Sequence, residues 1–242
     1  MKLIFKLLPL VLIAVAQLSG AALAQTKGAT VAPDPGMAQS PSMSTKASDK
    51  SNPLVRGAEI FEILTEAAPV LEATAFKKSL SEFEALYPEI SPLLRADGKQ
   101  RLDSLVTGVR TAWSKADRGA LAIQSIEIYR LLQESVDYRG QPVPVEVPML
   151  DYAGFKLKAL LLSARPNWKQ VGKTAQEASA WWAAIESRVT DKSLREAMAH
   201  TIAGIKDGAV RKEVKLLRFT AEMDLILVDG LEAFFNSRPA AR

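Results

Sequence analysis

Apolar positions recur along this chain with a helical period, and their densest run lies near the end, at Glu213–Phe235 (EVKLLRFTAEMDLILVDGLEAFF). At about 100° per residue, Leu217, Ala221, Val228, Leu231 and Phe235 fall on one line, while Leu216, Phe219, Met223, Ile226, Leu227 and Phe234 form an adjoining face. Lys215, Arg218, Glu222 and Asp229 keep to a narrow strip, so this helix is expected to be covered by neighbours on most sides. Asp224 breaks the pattern. It stands in the first apolar line, between Ala221 and Val228, where a carboxylate must find a partner, stay protonated or face a cavity.

The same period marks the rest of the chain. Ser51 or Asn52 can cap a helix that opens on Pro53 and carries Phe61 and Leu64, up to Ala67-Ala68-Pro69. Ala73, Phe76, Leu80, Phe83 and Tyr87 share one face of a second helix, expected to end at Pro88. Leu102, Val106, Val109 and Trp113 define a third, and Asp117 caps a fourth bearing Leu121, Ser125, Ile128 and Leu132. Three prolines in Asp137–Pro148 (DYRGQPVPVEVP) forbid a helix and predict an extended crossing. Asp151 can then cap a short helix through Phe155 and Leu162, closed by Arg165-Pro166. Val171, Ala175, Ala178, Trp182 and Ile185 align over Lys169–Val189. Leu194, Met198, Thr201 and Ile205 mark one more helix, expected to loosen at Asp207-Gly208.

No segment alternates apolar and polar residues over a strand's length, and VPVEV is too broken by proline for an interior strand. The fold class predicted is all-α: one antiparallel bundle of about seven or eight helices over residues 53–237, in two halves joined by the proline-rich crossing. The punctuated turns YPEISPLL and VEVPMLDY are too dissimilar to mark a repeat.

The first residues change the picture. Met1–Ala24 has the parts of a secretory signal peptide: Lys2 and Lys6, the apolar Leu7–Leu18, and Ala22-Leu23-Ala24 ahead of an expected cut before Gln25. The apolar stretch is short for a span of about 20 residues, so no stable membrane span is expected after cleavage. Residues 25–52 turn to Ser, Thr, Pro, Gly, Ala and Lys, which predicts a disordered tether. An exported protein, periplasmic or secreted, is the expectation. The chain has no cysteine, so no disulfide and no thiolate chemistry are available. Taking Lys2 and Lys6 from the 31 basic residues leaves 29 against 27 acidic ones, a formal +2. That near-neutral balance speaks against nucleic acid as a partner.

Candidate chemistry is sparse. Asp224 is the first ligand-binding candidate, as a carboxylate facing a pocket or paired in the core. Asp137-Tyr138 and Asp151-Tyr152, with Arg139 beside the first pair, bracket the crossing as a rigid element that presents aromatic and charged groups together. Trp182 shares the core line of its helix, whereas Trp181 lies on the flank, within reach of a partner. Thr201, Gly204, Gly208 and Ala197 make an edge where another helix can come close. His200 is the single histidine, on a polar side one turn from Glu196; the pair is a weak metal signal without further ligands. A haem between His200 and Met198 is excluded by their placement about 160° apart on the helical wheel, and Met149 or Met223 would be the remaining axial choices. No G-x-S-x-G, phosphate loop or H-E-x-x-H is present, so an enzyme finds no motif and no cofactor is predicted. The leading expectation is a non-enzymatic helical protein binding a small ligand or a protein partner. A metal- or haem-carrying bundle is the alternative, and a carboxylate-dependent cell-wall hydrolase the third.

Overall fold

The computed structural model describes residues 51–237, so the expected signal peptide (1–24) and almost all of the expected tether (25–52) lie outside the described residues. Eight α-helices and no strand occur among them: α1 (Pro53–Ala67), α2 (Ala73–Ile90), α3 (Ala96–Ser114), α4 (Arg118–Glu134), α5 (Glu146–Leu160), α6 (Trp168–Ile185), α7 (Lys192–Arg211) and α8 (Val214–Asn236). Four helices begin where a short polar side chain takes over an orphan backbone donor. Asn52 accepts from Leu54 N at 2.9 Å, Asp117 from Ala120 N at 2.9 Å, Asn167 from Gln170 N at 3.2 Å and Asp191 from Leu194 N at 2.9 Å. The chain is all-α, as its periodicity predicts.

Three boundaries differ from the sequence reading, each for a local reason. Helix α2 continues through Pro88 to Ile90. The proline deletes one backbone bond in the last turn, and Ile90, fully buried, holds that turn in the core. Helix α5 begins at Glu146, before Pro148, which occupies its third position, where an N–H has no intrahelical partner in any case. Asp151 is therefore inside α5 and half-buried, and caps nothing. Helix α7 runs unbroken past Gly208 to Arg211, because Gly208 is a packing position: a Cβ there would meet Leu217 Cγ at 2.9 Å.

Packing divides the bundle at the crossing. One core gathers α1–α4 with Tyr152, Phe155 and Ala159 of α5; the other gathers α5–α8. Each half pairs its first helix with its second and fourth, and its third with its fourth, while α4 lies against α5 to join them. The two halves thus share three pairings that their sequences do not reveal, while α6 also packs closely on α7 and α2 does not do so on α3. Neighbours run antiparallel: along α5 and α8, Gly154 lies beside Leu225 and Leu161 O accepts from Arg218 at 3.1 Å. Between α7 and α8, a Cβ on Gly204 would stand 2.7 Å from Thr220 Cγ2, so the small-residue edge does admit a close helix.

Helix α8 corrects one expectation. Its line of Leu217, Ala221, Val228, Leu231 and Phe235 is buried, yet Phe219 and Ile226 on the adjoining face are 61% and 62% exposed. The helix packs closely on α5 and α7 alone, at the edge of the bundle, so an apolar surface wide enough for more neighbours stays open. No described helix is long and apolar enough to cross a membrane.

Candidate functional site

Helix α5 packs tightly on α8 and touches α1. Where these three helices come near one another, the helical period places one kind of charge. Glu59, Glu62 and Glu66 recur along α1, Asp229 and Glu232 along α8, and Asp151 comes from α5. Tyr129 of α4 and Tyr138 of the crossing complete the surroundings. Burial, followed by the charges of Glu232, Glu59, Glu66 and Asp229, pushes the Glu62 carboxyl up to about 7. Asp151 is driven well above the carboxylate range, first by burial and then by Glu62, with Asp224 and Glu232 adding to it. A hydrogen bond from the Tyr129 hydroxyl works the other way. Glu232 rises through burial and the charges of Asp229 and Glu59. The hydroxyls of Tyr129 and Tyr138 rise too, through burial first and the nearby carboxylates second.

Asp224 lies in the core close to Asp151. It is fully buried, and neither oxygen has a hydrogen-bond partner among the described residues. Burial holds its carboxyl well above the ordinary value; the nearby Gly154 amide offsets this weakly, since a helical N–H is already committed to its own turn. The carboxyl faces α5, where Gly154 leaves room for it. A Cβ at that position would stand 2.9 Å from Asp224 Oδ2 and 2.7 Å from Leu225 Cδ2. Gly154→Ala is accordingly expected to destabilise the protein by about 1–2 kcal/mol, overpacking outweighing the gain in helix propensity. Urea unfolding checks this, and an unchanged midpoint would contradict so close an α5–α8 contact.

None of the seven acids Glu59, Glu62, Glu66, Asp151, Asp224, Asp229 and Glu232 forms an ion pair with a described Lys or Arg. A second polar assembly shows the contrast. A cleft of about 440 Å³ between α3, α4, α5 and α6 holds Arg101, Glu127, Arg130, Glu134, Tyr152, Lys156, Lys173 and Glu177 among its walls. Glu127 accepts from the buried Lys156 at 2.8 Å, from the Tyr152 hydroxyl at 2.8 Å and from Arg101 at 3.3 Å. Burial pushes the Glu127 carboxyl up, but Lys156, Tyr152 and Arg130 together pull it below its ordinary value. Arg130 bonds Glu134 at 2.7 Å and Glu177 at 3.1 Å, and its guanidinium lies 5.0 Å from the Tyr152 ring and 5.6 Å from that of Trp181. Here each acid has its cation.

Lys156→Met is expected to cost about 3 kcal/mol, at the lower end for a broken buried pair because Tyr152 and Arg101 still serve Glu127. Equilibrium unfolding measures it; a neutral result would mean that the pair holds nothing.

The candidates from the sequence are thus dispersed. Asp224, Asp151 and Tyr138 lie near the acids of α1 and α8, Tyr138 donating to Gln133 Oε1 at 2.6 Å. Tyr152 and Trp181 meet edge-to-face, 6.1 Å apart, at the Glu127 cleft. Arg139 is occupied on the surface by Asp137, which it binds through Nε at 2.8 Å and Nη2 at 2.6 Å. His200 and Glu196 are exposed, Glu196 lies 3.7 Å from Lys192, and Met149 and Met198 are core residues. Among the described residues, no group of three or more His, Asp or Glu is placed to hold a metal ion. Sequence reasoning missed Glu62, Glu232 and Glu127. The stripe of Glu59, Glu62 and Glu66, three acids on one helical flank, was the available signal for the first.

No family model, no curated protein and no solved structure matches this chain.

Proposed function

We propose that this is an exported, non-enzymatic binding protein whose acidic cluster on α1, α5 and α8 takes a positively charged ligand or partner. One observation carries the reading: carboxyl groups from three helices converge there without a described cation to neutralise them, while the acids of the neighbouring cleft are all paired. Structures tolerate buried like charges poorly, and uncompensated clusters of shifted carboxyls concentrate where a ligand supplies the missing charge. Export rests on the N-terminal segment, and N-terminal sequencing of the secreted protein should read from Gln25. For binding, thermal unfolding with cationic, neutral and anionic probes discriminates. Cations are expected to raise the melting temperature and anions to leave it unchanged; indifference to every cation would overturn the reading.

The hydrolase reading has one observation in its favour. A carboxyl that holds its proton up to about pH 7, as Glu62 does, has the ionisation a general acid requires. Release of soluble fragments from cell-wall polymer, abolished by Glu62→Gln, would establish it instead.

A further inference from the structure

We propose that the open face of α8 is a self-association surface, on which two copies pair their α8 helices antiparallel about a two-fold axis near Glu222. The inference goes beyond the reading of the acidic cluster, because it is built on the solvent side of α8. Leu216, Phe219, Met223 and Ile226 recur there at spacings of three, four and three residues, the alternation that forms a seam between two paired helices. Phe219 and Ile226 are 61% and 62% exposed, and Leu216 and Met223 are half-buried. Large apolar side chains exposed in a continuous strip mark an interaction surface, where scattered ones would not.

Charge identifies the occupant. Beside the seam, at intervals of seven residues, stand Lys215, Glu222 and Asp229, all exposed, while Lys212 and Arg218 add positive charge at the Lys215 end. None of these five makes an ion pair with a described residue, and Arg218 donates to Leu161 O. The strip thus runs from basic to acidic along the helix. A membrane surface, with one sign of charge, would suit only one end of it. In a parallel pair this row would face the opposite flank, where Leu227 and Phe234 are already packed in the second core. An antiparallel pair instead sets the basic end of each helix against the acidic end of the other, on the same flank.

Apolar and charged positions agree on the register. The four apolar side chains are centred on Ala221, and Lys215 and Asp229 each lie seven residues from Glu222, so one axis serves both sets. Leu216 then meets Ile226 of the second copy, Phe219 meets its Met223, and Lys215 meets its Asp229. The two Glu222 side chains face each other across the axis, which is the unfavourable element of the contact. Helix α8 has 23 residues; at the helical rise it is about 35 Å long, and a contact about 10 Å wide stays well below the roughly 800 Å² per partner of a standard interface. The dimer is therefore expected to be weak and concentration-dependent.

Light scattering of the purified protein between about 10 μM and about 1 mM tests this, with the mean mass expected to rise from one copy towards two. Ile226→Glu should weaken the dimer at least about tenfold, and Lys215→Glu by about tenfold. Adding Asp229→Lys to Lys215→Glu should restore the parent's association, because the pair is then reversed, and Glu222→Gln should tighten it. All four positions are exposed, and circular dichroism checks that each variant folds. A monomer at every concentration would overturn the proposal. So would a dimer that ignores Ile226→Glu, or a double charge reversal that fails to restore what the single one removes.

Discussion

Asp224→Asn is expected to make the protein more stable at neutral pH. The carboxyl of Asp224 is fully buried without a hydrogen-bond partner, and burial holds its pKa well above the value of a free aspartate. The sign follows from proton linkage. Below about pH 4 the group is protonated in the folded and unfolded chain alike and contributes nothing. As the pH climbs past that point the unfolded chain releases its proton while the folded one retains it, so stability falls by about 1.4 kcal/mol per pH unit until the folded group ionises. Asn carries no such penalty and fills almost the same space beside Gly154. Glu62 and Asp151, also raised, act in the same direction. Urea unfolding at about pH 5 and about pH 8 should therefore find the parent protein weaker at the higher pH and the variant less affected. A variant that is less stable at both would show that the carboxyl makes a specific structural bond.

Phe61→Ala is expected to cost about 3–5 kcal/mol, a large share of a typical total of about 5–15 kcal/mol. Phe61 has no exposed surface, and its ring meets Phe83 edge-on at 4.8 Å, fastening α1 to α2 over the first core. Its removal leaves a cavity beneath the helix that carries Glu59, Glu62 and Glu66. A drop in stability below about 1 kcal/mol would indicate that the core closes over the void.

Much of the fold was legible because the apolar period is helical almost throughout, and the buried faces of α2 and α6 and the first apolar line of α8 are largely the ones it predicts. The errors came where tertiary burial overrode local punctuation. Pro88 and Gly208 look like helix ends in isolation, yet Ile90 and Leu217 hold their turns in place. Asp151 looks like a cap because its environment is set by α1 and α8, which are distant in sequence. Asp224 stood out on its own helix, and its burial was readable from Ala221 and Val228 alone. Its neighbours were not, since the convergence of Glu62, Asp151 and Glu232 depends on how three helices pack. The same holds for Lys156, whose partner Glu127 lies on another helix.

Glu62 reports on the acidic cluster most directly, through the carboxyl carbon resonance followed by NMR as a function of pH. The structure predicts a midpoint of about 7. A midpoint at the ordinary glutamate value would contradict an uncompensated acidic cluster.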